Sequence, residues 1–112
     1  MTMKQYVLDQ LRESDYERIK EYLDKHSDRS ILDEIYWVNL PESLYNPIQA
    51  EHTRCRPFYF AVQLTMNQVA FEFLIRSREI MRCSCIAYAT PLQRDYILQF
   101  ADTMLDELQI KI

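Results

Sequence analysis

The chain has 112 residues, a mass of 13.6 kDa, 48% hydrophobic residues and a net charge of −4. That size and apolar content suit one domain, 1–112, with one packed core, and a 12% aromatic content argues against a disordered polymer. No run approaches the ~20 apolar residues that cross a bilayer. Nor does the start, Met1 to Tyr6, contain the apolar segment of a secretory signal, so a cytoplasmic protein with no membrane partner is expected.

The three cysteines are an odd number and few, which fits reduced thiols better than a disulfide framework. Glycine is absent altogether. Turns must therefore be made from Asn, Asp, Ser and Pro. The glycine-dependent phosphate cradles and dinucleotide fingerprints are excluded. No motif implies a cofactor.

The first predicted element is a helix from about Asp15 to Lys25, with Ser14 as N-cap and Glu17 completing a capping box. Tyr16, Ile19, Tyr22, Leu23 and His26 would form its apolar face. Ile31 to Leu40 reads as a strand, with Tyr36 and Val38 on one side and Ile35 and Trp37 on the other. From Pro41 to Arg56 the periodicity breaks, which predicts a loop with room for short turns.

From Phe58 to Leu64 and from Val69 to Ile75 the large apolar residues alternate. An antiparallel hairpin pairing Phe60 with Phe73, Val62 with Phe71 and Leu64 with Val69 puts them all on one face. A turn at Ser77-Arg78-Glu79 and a further strand, Ile80 to Ala89, would place Met81, Cys83, Cys85 and Ala87 on that same buried face. Thr90-Pro91 then starts a helix whose stripe runs from Leu92 through Tyr96, Ile97, Phe100, Ala101, Met104 and Leu105 to Leu108. The expected fold is α+β: a two-layer sandwich in which an N-terminal and a C-terminal helix pack on one face of a four-stranded antiparallel sheet, a β-meander.

Three constellations bear on function. His52 with Cys55 and Cys83 with Cys85 supply four ligands of the kind a zinc or thiol site uses. Cys-x-Cys on a strand under a helix, however, is more simply read as core packing, so no metal is expected there. Arg76, Arg78 and Arg82 lie in a lysine-free segment, Arg54 to Arg94, whose six arginines against two glutamates give +4, while the rest of the chain carries −8. They form a candidate anion or nucleic-acid site, opposed by the net acidity. Finally, the sheet face away from the helices would show Tyr59, Leu74, Arg76, Arg82, Ile86 and Tyr88, a composition like that of protein interfaces. The working expectation is a non-enzymatic interaction module that binds a protein partner or a second copy of itself through this face. No nucleophile, base and orienting group converge in the sequence, so no catalytic residues are assigned.

Overall fold

A computed structural model describes residues 4–111; residues 1–3, at the head of the segment read for a signal sequence, lie outside that range. The chain runs β1 (Gln5–Leu8), α1 (Glu13–His26), β2 (Asp28–Arg29), β3 (Ile35–Asn39), α2 (Pro47–Glu51), β4 (Phe58–Leu64), β5 (Val69–Glu72), β6 (Leu74–Ser77), β7 (Ala87–Tyr88) and α3 (Pro91–Leu108). Short 3-10 turns at Glu42–Leu44 and Thr53–Cys55 flank α2. The α+β class and the antiparallel sheet match the expectation, but the sheet has seven strands rather than four. No helix among the described residues is long and apolar enough to cross a membrane.

β4 is the central strand. It pairs with β3 on one side and with β5 and then β6 on the other, while β1 continues the sheet beyond β5 and β7 continues it beyond β6. The short β2 completes the far edge against β3. The expected pairs Val62–Phe71 and Leu64–Val69 are present. Phe60–Phe73 is not a ladder pair, because the ladder is interrupted after Val62–Phe71 and resumes at Tyr59–Arg76 and Phe58–Ser77. Two extra residues are absorbed there, a bulge that splits one long strand into β5 and β6. At the break the Phe73 amide donates to the Lys4 carbonyl, and the Phe73 carbonyl accepts from the Ala89 amide. An insertion of two keeps the alternation of faces, so Phe71, Phe73 and Ile75 all remain inside.

That inner face carries Tyr36, Phe58, Phe60, Val62, Leu64 and Phe71, all essentially inaccessible to solvent. α1 contributes Ile19 and Leu23 and α3 contributes Ile97, Ala101 and Met104 to the same core. Phe100 on α3 meets Phe60, Phe71 and Tyr22 edge-on, with centroids 5.9, 6.4 and 6.2 Å away. Each fully buried side chain of this size stabilises the fold by roughly 1.5–3 kcal/mol relative to exposure. Leu92, predicted to belong to the stripe of α3, lies in the first turn of the helix and is exposed instead.

Four local expectations are corrected. The strand expected from Ile31 to Leu40 is limited to β3, Ile35–Asn39, because residues 31–34 form the turn that follows β2. α1 begins at Glu13 with Arg12 as N-cap, not Ser14; the Asp15 carboxylate reaches back to the Arg12 amide and guanidinium, both at 3.2 Å. The Pro41–Arg56 segment has the short turns expected of it but also contains a helix, α2. The strand foreseen over Ile80–Ala89 shrinks to β7, because the Ser77 hydroxyl accepts from the amides of Glu79 and Ile80 and turns the chain away from the sheet.

Without glycine, Gln10 and Gln109 occupy the left-handed region at φ 58° and 55°. Gln109 ends α3 there, with the Ile110 amide returning to the Leu105 carbonyl. Gln109→Gly should raise the unfolding free energy by about 0.5–1 kcal/mol, because it removes the Cβ penalty at an exposed position. Urea denaturation measures this, and a lower midpoint would mean the glutamine side chain holds the terminus. A second outcome concerns acid. Burial would raise the Asp15 pKa, but hydrogen bonds from Arg12 and its charge outweigh that and lower it. Its contribution is therefore complete above about pH 5 and lost as pH falls through the folded value. Asp15→Asn should flatten the acid limb of the stability curve relative to the native chain.

Candidate metal centre

Asn46-Pro47-Ile48-Gln49 and Thr90-Pro91-Leu92-Gln93 are the same device used twice. In each, the first residue is the N-cap, proline fills the first helical position, and the glutamine closes a capping box. Asn46 Oδ1 accepts from the Gln49 amide at 2.7 Å, and Gln49 Oε1 accepts from the Asn46 amide at 3.0 Å. Thr90 and Gln93 repeat the exchange at 3.2 and 3.0 Å.

Both glutamines are completely buried, and their free amide ends join the two helices. Gln93 Nε2 donates to Gln49 Oε1 at 2.9 Å and to the Leu44 carbonyl at 2.8 Å, while Gln49 Nε2 donates to the Cys85 carbonyl at 3.1 Å. α2 is thereby fixed to α3 and, through Cys85, to the loop between β6 and β7.

α2 runs directly into the turn that carries the first two candidate ligands. The His52 amide bonds to the carbonyls of Ile48 and Gln49, and the Cys55 amide bonds to the His52 carbonyl at 3.0 Å. The tight turn brings His52 and Cys55, three residues apart, onto one side. Opposite them, the β6–β7 loop presents Cys83 and Cys85, with the Ile86 amide closing back on the Cys83 carbonyl at 3.0 Å. Ser77 ties the two halves together: its hydroxyl donates to the Cys55 carbonyl while accepting from Glu79 and Ile80. Arg56 braces the near side, with Nη2 donating to the Ala50 carbonyl at 2.7 Å and Nη1 paired to Glu42 at 3.2 Å.

The outcome is a cluster in which one ligand atom from each of His52, Cys55, Cys83 and Cys85 lies within 4.8 Å of all the others. His52 Nδ1 and Cys83 Sγ are 3.0 Å apart. A tetrahedral zinc ion with Zn–S near 2.3 Å and Zn–N near 2.0 Å needs ligand separations of about 3.5–3.8 Å, inside the range found. Cys55 and Cys85 are buried, whereas His52 and Cys83 are half-buried. A hollow of about 390 Å³, lined in part by Glu51, Arg54 and Ile80, adjoins the cluster and offers an entry path.

The thiols differ in kind. Hydrogen bonds from the Cys85 amide and thiol, and from His52 and Cys55, draw the Cys83 pKa down to about 6. Burial, with the neighbouring thiols, pushes Cys85 up to about 12. Hydrogen bonding thus favours a thiolate at Cys83, whereas burial favours a neutral thiol at Cys85.

Cys83 and Cys85 lie in the β6–β7 loop, not on the strand under the C-terminal helix that their alternation predicts. Cys55 and Cys85 do join the core and Cys83 packs against it, but Met81, assigned to the same face as Cys83 and Cys85, is almost fully exposed. The three arginines of the candidate anion site have different surroundings. Arg76 Nε pairs with Glu72 at 3.4 Å, and Arg78 Nη2 pairs with Asp28 at 2.7 Å. Arg82 is exposed in the loop. Of the proposed partner residues, Tyr59 and Arg76 face each other across the outer sheet surface, and Leu74 opposes Tyr88 between β6 and β7. Arg82 and Ile86 belong to the loop rather than to a strand.

Gln49 and Gln93 were not singled out in the sequence, although the repeated Asx/Thr-Pro-x-Gln pattern was available as a signal. Gln49→Leu should lower stability by about 2–4 kcal/mol, because it strands the buried Cys85 carbonyl and one of the two N–H groups of the Gln93 amide. Adding Gln93→Leu should cost less than the sum of the two single changes, a coupling readable in a double-mutant cycle. Comparison with known proteins adds no name to this geometry: no protein-family model matches the chain, and no significant match exists among curated proteins or solved structures.

Proposed function

We propose that this chain is a small, non-enzymatic interaction domain stapled by one zinc ion on His52, Cys55, Cys83 and Cys85. The observation that carries the reading is the convergence of four soft or borderline ligand atoms within 4.8 Å from two separate loops. Three thiols, deprotonated by the ion as it binds, and one imidazole would fill a tetrahedral shell from the protein alone, leaving no position for a water or substrate, which is the signature of a structural site. The Gln49 amide on the Cys85 carbonyl and the Ser77 hydroxyl on the Cys55 carbonyl supply the outer support that holds such ligands in place.

The need for a staple is also local. The loop from Arg78 to Ile86 has few backbone bonds of its own, chiefly Arg78 to Pro57 and Ile86 to Cys83. Metal binding would supply the free energy that these short-range contacts do not. Three unpaired thiols gathered in one place suit a reducing compartment such as the cytoplasm.

Protein purified without chelator should carry one zinc per chain by native mass spectrometry and elemental analysis. Chelation should lower the unfolding free energy by about 3 kcal/mol or more, since free metal at 100 times its Kd contributes ~2.7 kcal/mol. Cys83→Ser, at a half-buried position, should leave the secondary structure intact while reducing metal occupancy. A metal-free chain whose unfolding midpoint is unmoved by added zinc would overturn the proposal.

A further inference from the structure

The outer face of the sheet, on the side away from α1 and α3, carries an aromatic platform. The rings of Trp37 and Tyr59 stack at 4.6 Å. The Arg78 guanidinium lies over both, 5.2 Å from the first centroid and 5.8 Å from the second. Next to the platform is a hollow of about 300 Å³, floored by Ile35, Trp37, Tyr59 and Ala61.

At its rim, the turn between β2 and β3 holds Ile31 at 99% exposure and Leu32 at 59%. Two aliphatic side chains at the tip of a turn contribute nothing to the core. The turn itself is made by Ser30, whose hydroxyl accepts from the Leu32 amide at 3.0 Å. The apolar pair is therefore not demanded by the local backbone.

We propose that this face is a self-association surface, in which Ile31 and Leu32 of each copy enter the hollow of the other about a two-fold axis. Two features favour a second copy over another occupant. First, projection and hollow sit side by side on one face, which is what an isologous contact requires: each element meets its complement when the surface meets itself. Second, two cations of the face are paired within the chain, Arg76 with Glu72 and Arg78 with Asp28. Asp33 and Glu34, exposed beside Leu32, would travel with that turn toward Arg76 at the rim of the other copy's hollow, so the contact sets unlike charges against each other. A nucleic acid or acidic peptide would find its cationic anchors occupied. The contact uses none of the four cluster residues and does not rest on the metal reading.

The test is sedimentation velocity of the full chain at about 100 μM, well above the micromolar Kd of a weak specific dimer. A reversible dimer is expected, and dilution should red-shift the emission of Trp37, the one tryptophan in the chain. Ile31→Asp with Leu32→Asp changes only exposed positions and should raise the dimer Kd by about 30-fold or more. Ala61→Arg, which fills the hollow from below, should do the same. A monomer at 100 μM, or a dimer untouched by both variants, overturns the proposal. Metal content of the same samples separates the two readings: a monomer with one zinc removes this surface alone, and a metal-free dimer removes the zinc site alone.

Discussion

Gln93 donates to Gln49 inside the protein, and Gln49 in turn donates to the carbonyl of Cys85. Neither amide has access to water, so each must find its partners within the chain or forfeit the desolvation cost of a buried polar group. That requirement fixes three things at once: the height of α2 beside α3, the close of the turn at Leu44, and the path of the β6–β7 loop. The apolar core determines that helices cover the sheet. These two amides determine where the ends of the elements lie, and hence which side chains of the connecting loops meet.

Such a division of labour explains what the sequence discloses. The hairpin at Met66–Asn67 is legible because a period-two phenylalanine pattern tolerates only one register, and α3 is legible because a threonine–proline start precedes a long stripe. α2 is hidden by its length, since five residues contain too few turns for a period to register. β1 is hidden for a similar reason: a four-residue edge strand offers one buried position, Leu8, too little for an alternation to show. The Ile80–Ala89 segment misleads in the opposite sense. Met81, Cys83, Cys85 and Ala87 alternate as a strand would, and no glycine interrupts them, but the side chain of Ser77 outbids the sheet for the amides that follow it.

The candidate site has the same character. Each half, His-x-x-Cys or Cys-x-Cys, is short and common, and neither half specifies geometry. Their meaning lies in the approach of two loops, which depends on the amide contacts above. The arginine-rich segment shows the reverse. Its excess positive charge is plain in the sequence, yet Glu72 and Asp28 answer two of its three central members within the fold, the second from a strand whose two residues the sequence did not reveal.

The spacing of the ligands has a temporal consequence. Cys55 and Cys83 stand 28 positions apart, with β4, β5 and β6 between them. During synthesis the first pair leaves the ribosome well before the second exists, and no four-ligand shell can assemble until the hairpin has closed around its two-residue bulge. An ion bridging that span would act as a cross-link worth about 3.5 kcal/mol in chain-entropy terms. It would be a proofreader as well as a staple. A strand slipped along β4 would carry Ser77, and with it the second ligand pair, away from the first, so capture of the ion would favour chains already in the correct register.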